Sequence, residues 1–212
     1  MQHYRRYYKE MPHYDKNKKF YVCSYGGSGS KMLCQYLGYF GDVYHIHSRV
    51  PPSALTKTGY DDQSTYVEWF NTTELTEEEL KNYKVIFIYR DPLRSIYSRY
   101  NNESILKNVQ SPFPKATLQE VVDQKKDLFG IEDFFDQYTK VQFKNYPIYC
   151  IKYELLWDHF SFFNKIMNIP DLPERYPTKY EIKREEVHKD VLSEIYQSLR
   201  EKMNAMKFLE IR

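Results

Sequence analysis

Three short runs of apolar, aromatic and β-branched residues constrain this chain more than any other feature, because each leads into a segment with helical spacing. Residues 19–25 (KFYVCSY) run into Gly26-Gly27 and then into 30–40, where Met32, Leu33, Tyr36, Leu37 and Phe40 recur at helical intervals. Residues 85–89 (VIFIY) end in Arg90-Asp91-Pro92, an Asp at the N-cap and a Pro at the first helical position, which predicts a helix to about Tyr100. Residues 148–153 (IYCIKY) precede a helix predicted over 155–168, with Leu156, Phe160, Phe163 and Met167 on one stripe. Strands that alternate with helices imply parallel pairing and a sheet covered on both sides. The expected class is therefore α/β, a three-layer α/β/α arrangement around a mainly parallel central sheet.

The remaining elements are weaker. A strand is predicted over 42–47 (DVYHIH), stopped by Pro51-Pro52, and a short helix over 65–70. Thr76-Glu77-Glu78-Glu79 has the form of a capping box and predicts a helix of about two turns. Thr117-Leu118-Gln119-Glu120 is a second box, opening a helix that Gly130 is expected to close. Another helix is predicted over 131–139, with Phe134 and Phe135 inward, and one long amphipathic helix over 185–207. Residues 1–18 read as a basic, tyrosine-rich arm, and 19–212 as a single domain.

Composition sets the outer limits. A chain of 212 residues with 42% hydrophobic and 17% aromatic residues is not a disordered one. A formal charge of +2 argues against a general nucleic-acid binder but leaves room for a local basic pocket. No apolar run reaches the 18 or so residues of a membrane span, and the charged opening segment is no signal peptide, so a cytoplasmic protein without a membrane partner is expected. Three cysteines, with Cys23 and Cys150 inside strand-like runs, fit small buried hydrophobes rather than a disulfide framework, and no metal is expected.

Two places can carry chemistry. A glycine loop between a buried strand and a helix is a ready anion site. Backbone N–H groups of Gly26, Gly27, Ser28, Gly29, Ser30 and Lys31 can point at one phosphate, and the helix dipole favours negative charge there. The spacing is not that of a Walker A loop. The second place is Arg90, at the carboxyl end of the best strand, where open α/β sheets put their ligands. Ser98 follows two turns into the next helix, with Arg94 on the same face, and a guanidinium and a hydroxyl suit a second phosphate.

These residues resemble the sulfotransferases that use 3'-phosphoadenosine 5'-phosphosulfate (PAPS). In that family a Tyr-Pro-Lys-Ser-Gly-Thr-Thr-like loop holds the 5'-phosphosulfate, and Tyr25-Gly26-Gly27-Ser28-Gly29-Ser30-Lys31 occupies its place. The family's Arg-Asn-Pro, with a Ser eight residues after the Arg, binds the 3'-phosphate; Arg90-Asp91-Pro92 and Ser98 keep that spacing. Its Tyr-Glu-Asp-Leu is matched by Tyr153-Glu154-Leu155-Leu156, so the resemblance spans about residues 19–168. It implies a P-loop NTPase-like sulfotransferase fold, PAPS as cosubstrate with adenosine 3',5'-bisphosphate (PAP) as product, and in-line transfer of sulfuryl to a hydroxyl or amine. There are departures. The family's loop lysine aligns with Gly27, which leaves Lys31 as the nearest electrophilic group; Met32 replaces the adenine-stacking aromatic; Arg94 stands where Asp is common; and no Arg-Lys-Gly segment follows, only Lys179, Lys183 and Arg184.

For the general base, His45 and His47 alternate onto one face of the second strand, and His47, nearer the strand end, is preferred; Asp61, Asp62 and Glu68 are substitutes. The acceptor is a small molecule or a glycan, with specificity expected from 48–75 and 101–130, and a homo-oligomer is left open. Two other readings stand beside this one. A P-loop kinase or NTPase would use Lys31 on phosphates and Asp91 on magnesium. A non-catalytic relative would keep the cleft and only bind a nucleotide or a sulfated or phosphorylated partner.

Overall fold

The computed structural model describes residues 11–46, 49–51, 55, 75–100, 116–140, 144–179 and 184–212. Five strands form one sheet in the order β2-β1-β3-β4-β5, with β1 at Lys19–Cys23, β2 at Asp42–Ile46, β3 at Tyr83–Tyr89, β4 at Ile148–Lys152 and β5 at Leu209–Ile211. The first four are parallel and β5 runs antiparallel to β4.

Side-chain alternation along these strands divides the core in two. Phe20, Val22, Ile86, Ile88, Tyr149 and Ile151 face one way, against α1 (Ser30–Leu37) and α6 (Phe160–Met167). Tyr21, Cys23, Val85, Phe87, Tyr89 and Cys150 face the other, against α3 (Pro92–Tyr100), α5 (Ile131–Thr139), α7 (Lys189–Ile195) and α8 (Gln197–Ala205). Strands buried on both faces read as continuous apolar runs, which is why β1, β3 and β4 stand out in the sequence. On the second face Phe87 stacks on Tyr138 at 4.7 Å and Tyr138 on Phe134 at 5.0 Å, each pair adding about 1 kcal/mol beyond its buried area. The fold is thus α/β, with a mostly parallel sheet covered on both sides.

Element boundaries follow local chemistry, with corrections. The helix α2 (Glu77–Leu80) has its capping box but is a single turn, not two. In α3 the Asp91 carboxylate accepts the Arg94 N–H at 3.2 Å, the expected N-cap. The second box opens α4 (Leu118–Gln124), but Lys125, at φ 49°, closes it; Gly130, at φ 65°, instead begins α5. After β4 the chain takes two 3₁₀ turns, Tyr153–Leu155 and Trp157–His159, before α6, so the helix predicted over 155–168 starts late. The predicted C-terminal helix is two helices broken at Tyr196, whose hydroxyl donates to Asp127 at 2.7 Å, and β5 follows unforeseen. Of the predicted arm, residues 1–10 lie outside the described residues; Tyr14 donates to Asp42 and the Asp15 N–H donates to the Phe40 carbonyl at 3.1 Å. Among the described residues no helix is long and apolar enough to cross a membrane, and the three cysteines are free.

Candidate functional site

The strand order reverses direction between β1 and β3: the chain leaves β1 toward β2 on one side and later returns to β3 on the other. Ligands of doubly wound sheets sit at the carboxyl ends of the strands at such a switch point. The glycine loop leaves β1 there, Arg90 ends β3, and Tyr153 ends β4 next to it.

Gly26, Gly27 and Gly29 all have positive φ, and each is crowded. A Cβ on Gly26 would lie 2.3 Å from Arg99 Nη1, on Gly27 2.5 Å from the Ser95 carbonyl, and on Gly29 2.1 Å from the Tyr153 ring. The loop is therefore clasped by α3 on one side and by Tyr153 on the other. Arg99, 7% exposed, donates to the Tyr25 carbonyl at 2.6 Å and lies over the Tyr25 ring. Below the loop, Ser24 Oγ donates to Ser30 Oγ at 2.8 Å, and His45 Nε2 lies 2.8 Å from the same oxygen.

Arg90 Nη1 makes a long 3.5 Å contact with the Gly27 carbonyl, and its guanidinium stacks 4.6 Å from the Tyr153 ring centre. Glu154 Oε1 accepts the Asp91 N–H at 2.9 Å and lies 3.9 Å from Arg90 Nε. Asp91 itself is fully engaged: one oxygen caps α3 and the other accepts from Arg200 Nε at 2.9 Å. Burial pushes the Tyr153 hydroxyl upward in pKa, and the Arg90 charge partly offsets this.

Several buried polar atoms at this edge have no hydrogen-bond partner: Ser28 Oγ, Tyr89 Oη, Arg90 Nε and Glu154 Oε2. Each costs free energy unless water or a ligand meets it. A space of about 10 Å³, the room of one water, lies between Ser28, Arg90 and Ser95 and the apolar wall of Phe87, Phe134 and Phe135. A wider recess of about 710 Å³ lies at the opposite, amino edge of the sheet, between Lys16, Asp42, Glu79 and Tyr83, away from the glycine loop and Arg90.

The predicted site residues are thus partly brought together. Gly26, Gly27, Ser28, Gly29, Ser30 and Arg90 share one place. Lys31 is exposed, and Met32 packs against the core on the α1 side. Ser98 is half-buried, but the face of α3 that meets the loop carries Ser95 and Arg99; Arg94 points away, 3.5 Å from Glu186. His47, Asp61, Asp62 and Glu68 lie outside the described residues. Sequence reasoning missed Ser95, Arg99 and the Ser30–His45 contact, and matched Tyr153-Glu154 without giving them a place in the site. The signal available for Arg99 was its i, i+4 relation to Ser95. No metal-holding cluster of His, Cys, Asp and Glu occurs among the described residues. Comparison with protein-family models, curated sequences and solved structures yields no significant match.

Proposed function

We propose that this chain is a sulfotransferase of P-loop NTPase-like fold that binds PAPS at the carboxyl edge of its sheet and passes the sulfuryl group to a hydroxyl or amine. One observation carries the reading: the glycine loop after β1 and Arg90 after β3 adjoin at the switch point, with Ser28 Oγ buried and unpartnered between them. Two N-termini, of α1 and α3, add positive potential at the same edge. In the reaction the acceptor oxygen or nitrogen attacks sulfur in line, the bond from sulfur to the bridging phosphate oxygen breaks, PAP departs, and a base such as His47 takes the acceptor proton. Catalysis is then mainly positioning and electrostatic stabilisation by the loop amides and Arg90.

A second reading, a nucleotide or sulfate binder without turnover, is favoured by one feature: Gly27 stands at the lysine position and Lys31 is exposed to solvent. The kinase reading is weaker, because both oxygens of Asp91 are committed to Arg94 and Arg200.

Calorimetry with PAP, ADP and magnesium ATP separates these. The expected result is PAP binding without metal, weakened about tenfold or more by Arg90→Ala through lost charge-assisted hydrogen bonds. Magnesium-dependent ATP binding with no affinity for PAP overturns the proposal. Labelled-sulfate transfer from PAPS into hydroxylated acceptors then distinguishes enzyme from binder.

A further inference from the structure

The recess of about 710 Å³ at the amino edge of the sheet has the size of a small-molecule site and stands apart from the glycine loop. It lies where β1, β2 and β3 begin, with Lys19, Asp42 and Tyr83 as their first residues. Backbone hydrogen bonds tie its walls together. The Lys19 N–H donates to the Asn82 carbonyl at 2.9 Å, the Asn82 N–H to the Glu79 carbonyl at 3.0 Å, and the Asp42 N–H to the Lys18 carbonyl at 3.0 Å. The recess is therefore preformed, which lowers the cost of binding.

Every described residue that lines it carries a hydrogen-bonding side chain, so it suits a hydroxylated ligand and not an apolar one. The charges around it balance, Lys16 and Lys19 against Asp42 and Glu79. Asp42 accepts from Tyr14 Oη and Lys19 Nζ, and Lys19 also donates to the Lys16 carbonyl at 2.7 Å. Glu79 accepts the Thr76 N–H and hydroxyl, both at 2.9 Å. These engaged and balanced groups leave neither a carboxylate pair for a metal ion nor a group of cations for a phosphate. Lys16 Nζ, the carboxamides of Asn17 and Asn82 and Tyr83 Oη have no partner among the described residues. A carboxamide donates and accepts side by side, as neighbouring sugar hydroxyls do. The Tyr83 ring stacks on buried Tyr21 with centres 5.9 Å apart and planes at 14°, which fixes an apolar plane beside those polar groups.

We propose that this recess binds a neutral mono- or disaccharide, with its hydroxyls on Lys16, Asn17 and Asn82 and its C–H face toward Tyr83. Sulfuryl transfer at the carboxyl edge is not needed for this binding.

NMR titration of the isotope-labelled chain with glucose, maltose, cellobiose and chitobiose tests it. At least one sugar should shift the backbone amides of Lys16, Asn17, Asn82 and Tyr83 with a Kd of about 1 mM and leave those of the glycine loop unmoved. Asn82→Ala and Lys16→Ala, both at exposed positions, should each weaken that sugar about three- to tenfold, with the remaining amide shifts reporting an intact fold. No shift at these amides with any of the four sugars overturns the proposal, and so does a sugar that shifts the glycine loop instead. Equal affinity in wild type and both variants refutes the assigned contacts. Glucuronate or glucosamine binding about tenfold tighter than glucose refutes the neutral ligand.

Discussion

Gly29→Ala tests the geometry of the loop most directly. Gly29 is the N-cap of α1 at φ 83°, ψ 7°, and its carbonyl accepts the Leu33 N–H at 3.1 Å, so the helix start depends on its left-handed backbone. A side chain there costs about 1–2 kcal/mol in backbone strain. The new methyl would also lie 2.1 Å from Cε2 and 2.4 Å from Cδ2 of Tyr153, so ring or loop must shift by more than an ångström to reach ordinary contact. The ring has little freedom, because the Arg90 guanidinium stacks at 4.6 Å and Trp157 packs edge-on at 4.8 Å. Trp157 is in turn held by its Nε1 donating to the Pro177 carbonyl at 2.9 Å. Overpacking of this kind costs about 1–3 kcal/mol. The expected loss is therefore about 2–5 kcal/mol, or a fall in Tm of about 5–15 °C for a chain of this size. Urea unfolding followed by circular dichroism measures it. Only the clash term vanishes when the ring is removed, so a double-mutant cycle with Tyr153→Ala should show coupling of about 1–3 kcal/mol. Full additivity of the two substitutions would mean that Tyr153 does not rest on Gly29, and the description of the loop as clasped from that side would be wrong.

Two further substitutions compare the faces of α3. Arg99→Leu removes a buried donor from the Tyr25 carbonyl and should cost about 2–4 kcal/mol, whereas Arg94→Ala, exposed beside Glu186, should stay within about 0.5 kcal/mol in the same unfolding assay. Asp127→Asn probes pH dependence. Burial raises the Asp127 carboxyl above its ordinary 3.8, against hydrogen bonds from the Glu132 N–H and Tyr196. A raised folded value means that stability from this group is fully present below the unfolded value and lost as pH rises through the folded one. The stability of wild type relative to Asp127→Asn should therefore decline as pH rises from about 4 toward neutrality; a relative gain over that interval contradicts the assignment.

Why some elements were legible and others not follows from where their causes lie. The runs in β1, β3 and β4 announce themselves because a strand buried on both faces needs no polar residue. β5 has three residues with Glu210 in the middle, and it exists because Ile148 exchanges both backbone hydrogen bonds with Arg212 across the β4 edge, a pairing with no local trace. The helical spacing from Val187 to Met206 carries no Gly or Pro, so nothing nearby foretells the break at Tyr196; the hydroxyl is drawn to Asp127, 69 residues away. Gly130 is ambiguous in the sequence for a different reason. A left-handed glycine serves the end of one helix as readily as the start of the next, and sequence cannot rank the two.

The same distinction holds at the site. Helical spacing says that Arg94 and Ser98 share a face and that Ser95 and Arg99 share another, but which face meets the loop is decided by the Tyr25 carbonyl, which Arg99 reaches. Read from sequence, the three loop glycines are there to let a ligand approach the backbone. In the fold each already admits a protein neighbour: Arg99 at Gly26, Ser95 at Gly27, Tyr153 at Gly29. Packing alone thus accounts for glycine at these three positions, so the loop enters the functional reading through its place beside Arg90 and not through its composition. What packing leaves unexplained is Ser28 Oγ, Arg90 Nε and Glu154 Oε2, polar atoms taken out of water at the switch point with no partner in the chain. The space beside Ser28 and Arg90 has the room of one water, so what sets this edge apart is the meeting of the loop and Arg90 at the switch point.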